Sequence, residues 1–185
     1  GVAVETVDLS GLSQKSLELR SSKLERLKFD NAKLEKLSLR DVACSTSSFI
    51  ATDFSDSSWH MVSITGSRFS GTQFQKSTLS NIQFIGCKLE LVNFRFSKCR
   101  SVLFKDCVLN DIDFYEADLK NVMFENCVIE KIELSQSKLK DVDFSSSELR
   151  VISGIESFRG ATVSQQQLYD LAPYIAREFG IIIEP

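Results

Sequence analysis

Several features that mark common functional classes are missing from this sequence of 185 residues. It has no apolar run near 18 residues, which argues against a transmembrane helix, and no N-terminal signal pattern. Its eight glycines are scattered, so no glycine-rich phosphate loop is present. Its one histidine, His60, has no serine or cysteine partner at a spacing that suits nucleophilic catalysis. We therefore expect no catalytic residue, no cofactor and no metal, and a protein that is not an enzyme.

What the sequence does contain is a period of five residues. From Val4 to Leu149, every position numbered with a final 4 or 9 is apolar except Gln14. Positions numbered with a final 2 or 7 carry only Val, Leu, Ile, Ala, Cys, Ser or Thr. We call these the large and small inward positions. A helix would scatter steps of five around its surface and a strand would alternate them between faces. The period therefore predicts a coil that turns a corner every five residues.

The residue types also repeat every 20 positions, which predicts four sides per coil. The small inward positions from Val42 to Val142 hold β-branched residues in steps of 20, whereas those from Ser47 to Ser147 hold only serine or cysteine. Corner positions, with a final 1 or 6, collect Gly, Asn and Asp, which tolerate turn conformations. Stacked coils of 20 residues, spaced by about 4.8 Å, would form a rod roughly 36 Å long.

Segments such as Ala117-Asp118-Leu119-Lys120-Asn121 resemble the pentapeptide repeat, and the resemblance extends over residues 2 to 153. It implies an all-β fold, a right-handed, four-sided parallel β-helix of about 7.5 coils. We predict two parts, a β-helix in residues 1–155 and a capping segment in residues 156–185 that could also dimerise. Gly1, which replaces an initiator Met, is expected to be a processed or engineered start.

All five cysteines fall at inward positions, with Cys87, Cys107 and Cys127 in one column. Parallel side chains stacked in this way do not converge on a metal or point toward one another for disulfides. We expect reduced cysteines that act as small hydrophobic residues. Their odd number favours a reducing compartment, the cytoplasm.

The last residues leave the five-residue period and predict a capped helix. Ser164 and Gln167 have the spacing of a capping box, and Gly180 supplies a stop. Pro173 predicts a break into two short helices. An apolar stripe at helical spacing is expected to cover the open end of the rod and could mediate a homodimer. The candidate cap and dimer residues are Leu168, Leu171, Ile175, Phe179, Ile181 and Ile183.

This segment, with Phe179-Gly180-Ile181-Ile182-Ile183, resembles the C-terminal end of quinolone-resistance and gyrase-modulating pentapeptide proteins. The resemblance implies a homodimer that binds type II topoisomerases, in some cases as a mimic of duplex DNA. Two features depart from that group. The net charge is only −3, and no loop interrupts the repeat.

Outward residues predict two surfaces on the rod. A basic column on one side comprises Arg20, Arg40, His60, Arg100, Lys120 and Lys140, with Lys98 and Lys138 beside it. It suggests contact with nucleic acid or an acidic partner, but exposed aromatic residues do not interleave with it, which argues against direct nucleic-acid binding. The second is a candidate partner surface of apolar residues in the late coils: Leu103, Val108, Met123, Val128, Phe96 and Tyr115.

The sequence thus favours a non-enzymatic rod that binds another protein. The alternative is a DNA-mimic modulator of DNA gyrase or topoisomerase IV that confers quinolone tolerance. A smooth rod without a cleft favours binding over catalysis in both cases.

Overall fold

The computed structural model describes residues 1–182, and the predicted coil is present in them. Strands of one sheet cover two sides of the rod: Ala3–Glu5, Glu18–Glu25, Ser38–Ser45, Ser58–Thr65, Thr78–Ile85, Lys98–Lys105, Asp118–Glu125, Lys138–Asp143 and Ala161–Thr162. Strands of a second sheet are Ser48–Ile50, Arg68–Ser70, Lys88–Glu90, Val108–Asn110, Ile112–Asp113, Val128–Glu133 and Glu148–Ser153. Every pairing between these strands is parallel, as expected for a β-helix.

The register between coils is 20 residues throughout the repeat. Leu79 pairs with Cys99, and Cys99 pairs in turn with Leu119. Because the pairing does not slip within the repeat, residues 20 apart in sequence are neighbours along the rod axis, at a spacing of about 4.8 Å. The predicted columns are therefore real columns of side chains.

The corners explain why the chain can turn every five residues. From Thr6 to Asp141, every corner residue except Lys131 has a positive φ, between 47° and 71°. Glycine, asparagine and aspartate adopt this left-handed conformation at low cost. The corner role predicted for these residue types is confirmed.

Inside the coils, phenylalanine rings stack from one coil to the next. Phe74, Phe94 and Phe114 form one stack, with centroids 5.0 and 4.9 Å apart, and Phe104, Phe124 and Phe144 form another. The cysteines are buried and unpaired, as predicted. Burial of this many aromatic side chains, each contributing roughly 1.5–3 kcal/mol, supplies the main stabilisation of the fold.

Small inward side chains also form hydrogen bonds to the backbone of the preceding coil. The hydroxyl of Ser77 donates to the carbonyl oxygen of Phe54 at 2.9 Å, and that of Thr52 donates to the carbonyl oxygen of Phe29 at 2.7 Å. The Cys107 thiol makes the same contact with Phe84 at 3.3 Å. In each case donor and acceptor are 23 residues apart. These bonds satisfy buried polar groups that would otherwise be costly in a dry core.

The C-terminal end is closed mainly by the segment before the helix. A 3₁₀ turn, Ile155–Ser157, crosses the last coil, and Phe158 stacks on Phe144 with ring centroids 5.6 Å apart. The α-helix Gln165–Glu178 follows, with the predicted capping box between Ser164 and Gln167. It ends as predicted at Gly180, which has a φ of 65°. No helix in residues 1–182 has the length and apolar character needed to cross a membrane.

Two expectations about this segment were wrong. The helix runs through Pro173 without a break, because a single missing N–H in a 14-residue helix leaves the bonds on either side in place. The apolar stripe does not cover the rod as a whole: Leu171 is buried and Ile175 half-buried, but Leu168, Phe179 and Ile181 are exposed. The helix contacts the last coil through Gln167, while Phe158 stacks on the ring of Phe144, so only part of the stripe is covered. Ile183 lies outside the described residues.

Candidate interaction surfaces

The predicted apolar partner surface is built from pairs of residues on adjacent coils. Leu103 pairs in register with Met123, and Val108 pairs with Val128. Met123 is 48% exposed and Val108 is 41% exposed. Earlier coils carry Ala43 and Ser63 in the column that leads to Leu103 and Met123. In these two columns the outward residues of the earlier coils are small, polar or charged, and large apolar residues stand only at Leu103, Met123, Val108 and Val128.

An ion pair separates these two apolar pairs. Lys105 and Glu125, which lie between the columns of Leu103 and Val108 in the chain, bond to each other across adjacent coils. The predicted surface is thus two small apolar patches on neighbouring sides, with a charged group at the corner between them. This pattern is typical of a protein-binding surface with a polar component.

Phe96 and Tyr115, also predicted for this surface, form a separate cluster on another side. Their ring centroids are 6.0 Å apart in an edge-to-face arrangement. The guanidinium of Arg95 lies over the Tyr115 ring at 4.5 Å from the centroid, and its Nε is 3.7 Å from Asp113 Oδ2. Glu116, next to the Tyr115 hydroxyl, raises the pKa of that hydroxyl. Sequence reasoning missed Arg95: the period of 20 places it in the column of Tyr115, but the cation–π contact also depends on where the two side chains point.

Two exposed apolar residues of the late coils occupy strained corners. Leu91 has a φ of 53° and Phe96 a φ of 60°, although neither is glycine, asparagine or aspartate. Such a conformation costs roughly 1–2 kcal/mol for a residue with a bulky side chain. Both side chains are exposed, Leu91 at 56% and Phe96 at 40%, so core packing gives no compensation.

The residues of the basic column follow one side of the rod. Arg20, Arg40, His60, Ser80, Arg100, Lys120 and Lys140 pair in register from coil to coil. Arg20 bonds to Glu18 and Arg100 bonds to Asp118. The arginine of the second pair also donates to the carbonyl oxygen of Asp118 at 2.8 Å.

The C-terminal helix leaves an apolar surface open. Exposed side chains there are Leu168, Tyr169, Tyr174, Phe179, Ile181 and Ile182. Phe179 is 68% exposed, which is unusual for a phenylalanine near a helix end.

Within residues 1–182, all five cysteine thiols are buried. Burial raises the pKa of the Cys99 thiol to about 12 and that of the Cys44 thiol to about 11. Neutral, buried thiols are poor nucleophiles. Within residues 1–182, no cluster of three His, Cys, Asp or Glu residues could hold a metal ion.

Comparison with known proteins agrees with this architecture. Residues 77–153 match the family model described as a pentapeptide repeat region. Comparison with curated protein sequences gave no match.

Solved structures that are similar to the chain include other repeat proteins. HetL, a pentapeptide repeat protein involved in heterocyst differentiation regulation in the cyanobacterium Nostoc sp. strain PCC 7120, is 10% identical with a TM-score of 0.42, over 89% of this chain and 90% of its own. Full-length QnrB1, a plasmid-mediated fluoroquinolone resistance protein, is 15% identical with a TM-score of 0.31, over 88% and 99% of the two chains. A pentapeptide repeat protein from the Arabidopsis thaliana thylakoid lumen is 13% identical with a TM-score of 0.27, over 89% and 77%.

At these identities and TM-scores, the likenesses carry no argument about function. Residues 77–153 therefore match the pentapeptide repeat family, and the five-residue period that the coils follow in register continues outside the matched region.

Proposed function

We propose that this protein is a non-enzymatic interaction rod that binds another protein through its late coils. The observation that carries the proposal is the change of outward residues at Leu103, Met123, Val108 and Val128. A parallel β-helix gains nothing from apolar groups at outward positions, and exposed apolar patches with polar groups between them are typical of an interface. The rigid backbone holds these side chains at fixed spacing, so a partner can bind without ordering them.

The proposal can be tested by paired substitutions in one column. Leu103→Ser with Met123→Ser should abolish capture of the partner from a lysate of the source cells, whereas Ala43→Ser with Ser63→Ala should leave it unchanged. Both pairs lie at outward positions, so both variants should unfold at similar urea concentrations. Equal capture by the two variants would refute the proposal for this surface.

The C-terminal helix is proposed as a homodimer contact. Its exposed aromatic and aliphatic residues, including Phe179 and Ile181, suit a partner helix of the same kind. Light scattering should give the mass of a dimer for the intact chain and of a monomer for Leu168→Ser with Phe179→Ser. A monomer for the intact chain would remove this part of the proposal.

A modulator of DNA gyrase or topoisomerase IV that confers quinolone tolerance is the second candidate. The feature that favours it is the C-terminal segment, in which a helix ends at Gly180 and continues into apolar residues. The basic column opposes the DNA-mimic form of the hypothesis, because a mimic of DNA needs dense negative charge. A supercoiling assay with purified gyrase decides the matter. Unchanged supercoiling and unchanged quinolone inhibition at micromolar protein would exclude this candidate.

A further inference from the structure

We infer that a second surface of the rod, formed by Phe96 and five neighbouring cations, binds an acidic protein segment that carries an apolar anchor residue. The cations are named here the late basic face: Lys98, Arg100, Lys120, Lys138 and Lys140. The inference rests on the proposed function only in that the protein is an interaction rod. It concerns a different side of the rod from the apolar pairs.

The late basic face is a grid in three adjacent strands. Lys98, Asp118 and Lys138 are in register along one row, and Arg100, Lys120 and Lys140 along the next. Asp118 is the one acidic group inside the grid, and Arg100 binds it. Within residues 1–182, the four lysines have no carboxylate within salt-bridge distance. Their charges are therefore available to a partner.

On other sides of the rod, charged residues of opposite sign pair across adjacent coils. Lys105 faces Glu125, Lys131 faces Asp111, and Arg150 faces Glu130, each pair on adjacent coils. On the late basic face, the same register places Lys120 between Arg100 and Lys140. Like charges opposite one another on adjacent strands destabilise a sheet. The like charges of the late basic face therefore lower the stability of the fold, whereas the pairs of opposite charge on other sides raise it.

Phe96, at the border of this face, is a second feature that lowers the stability of the folded state. It occupies the corner that precedes Lys98, and the same corner one coil earlier carries Lys76. Its left-handed backbone disfavours the folded state, and its ring is 40% exposed although it packs edge-to-face on Tyr115. Departures from local preference are expected at functional sites. An exposed ring at the corner that borders the row of cations offers an apolar anchor point near a charge-complementary surface.

The charge distribution favours an acidic protein segment over nucleic acid as the occupant. A nucleic acid is a long polyanion that would extend past the grid over a chain of net charge −3. Successive exposed aromatic residues, which a single strand needs for stacking, are not found along the column in residues 1–182. A short acidic segment has only to match the grid, and one apolar side chain could pack on Phe96.

A defined peptide tests the inference. The probe is a fluorescein-labelled peptide of about 12 residues with alternating glutamate and serine and a central phenylalanine, measured by anisotropy at low salt, where surface charges are least screened. Lys120→Glu with Lys140→Glu should weaken binding at least tenfold. The matched control is Lys28→Glu with Lys88→Glu, the same charge change at exposed lysines without salt bridges on the opposite side, and it should change the affinity less than twofold. Equal weakening by the control pair would overturn the inference.

Two further measurements sharpen the result. Phe96→Asn, which suits the corner, should fold at least as well as wild type and bind the probe about fivefold more weakly. Unchanged binding by this variant would overturn the anchor role. An oligothymidylate of equal length that binds more tightly than the peptide, with the same sensitivity to the lysine variants, would assign the face to nucleic acid and overturn the inference. Wild-type protein without peptide binding would also overturn it, while leaving the capture experiment at Leu103 and Met123 unaffected.

Discussion

The side-chain amide of Gln167 donates to the carbonyl oxygen of Phe144, 23 residues earlier, at 2.8 Å. This is the spacing at which Ser77 bonds to Phe54 and Cys107 bonds to Phe84 within the coils. Gln167 is also the next number in the small inward column that ends at Ser147, and it donates to the carbonyl oxygen of Ser147 at 2.6 Å. A helical residue thus completes the hydrogen-bond pattern of a coil that the chain does not form.

Gln167→Glu is expected to destabilise the protein by roughly 2–3 kcal/mol. The carboxylate keeps the size of the amide and can still accept from the Ser164 N–H, but it cannot donate to the two buried carbonyls. The free energy of unfolding in urea measures the effect. Gln166→Glu, at an exposed position of the same helix, should change it by less than about 0.5 kcal/mol. Similar losses of unfolding free energy in both variants would show that the hydrogen bonds of Gln167 do not account for the effect.

Phe94→Ala should cost about 3–5 kcal/mol, because it leaves a cavity between two stacked rings. Arg100→Ala removes a surface ion pair and should cost at most about 1 kcal/mol. Urea unfolding of both variants compares the inside and the outside of one coil. A larger loss for Arg100→Ala would contradict the assignment of inward and outward positions.

Leu91→Gly should raise the free energy of unfolding by roughly 1 kcal/mol, since glycine adopts a φ of 53° without steric cost. The reverse change is available at Gly86, an equivalent corner with a φ of 59° and no atom within 4 Å of an added Cβ. Gly86→Ala should therefore lower stability by about the same amount, from backbone strain alone. If both variants matched wild type in thermal unfolding, corner strain would not be a term in the stability of this fold.

Stability should fall above pH 9 as the buried thiols titrate. The pKa of Cys99 rises from an ordinary value of 9.0 to about 12 through burial, so the folded state disfavours the thiolate. Its contribution is complete below pH 9, declines as pH rises from 9 to 12, and amounts to about 1 kcal/mol per pH unit within that window. Urea unfolding at pH 8 and pH 10 should show a smaller decrease for Cys99→Ala than for wild type. Identical decreases in stability for the two proteins would show that residues other than Cys99 cause the alkaline sensitivity.

Much of the fold could be predicted from the sequence because the period is local and strict. Phe94 and Phe114 had to lie in one column once four sides per coil were accepted, and the same arithmetic placed Leu103 beside Met123. The cap was less predictable. Spacing alone placed Leu168 and Phe179 on an apolar stripe, but whether that stripe meets the core depends on Phe158, which occupies the end of the rod first. One signal in the sequence indicated where the helix contacts the last coil: the number of Gln167 continues the small inward column.

The sequence by itself determined which side chains point inward, because a five-residue period leaves one arrangement that buries them. It also determined the order of charges along each side. Only the tertiary structure decided which outward side chains touch, such as the guanidinium of Arg95 over the ring of Tyr115 and that ring against Phe96. Those contacts depend on side-chain directions and on how far each corner turns, and neither quantity is encoded in a repeat of residue types.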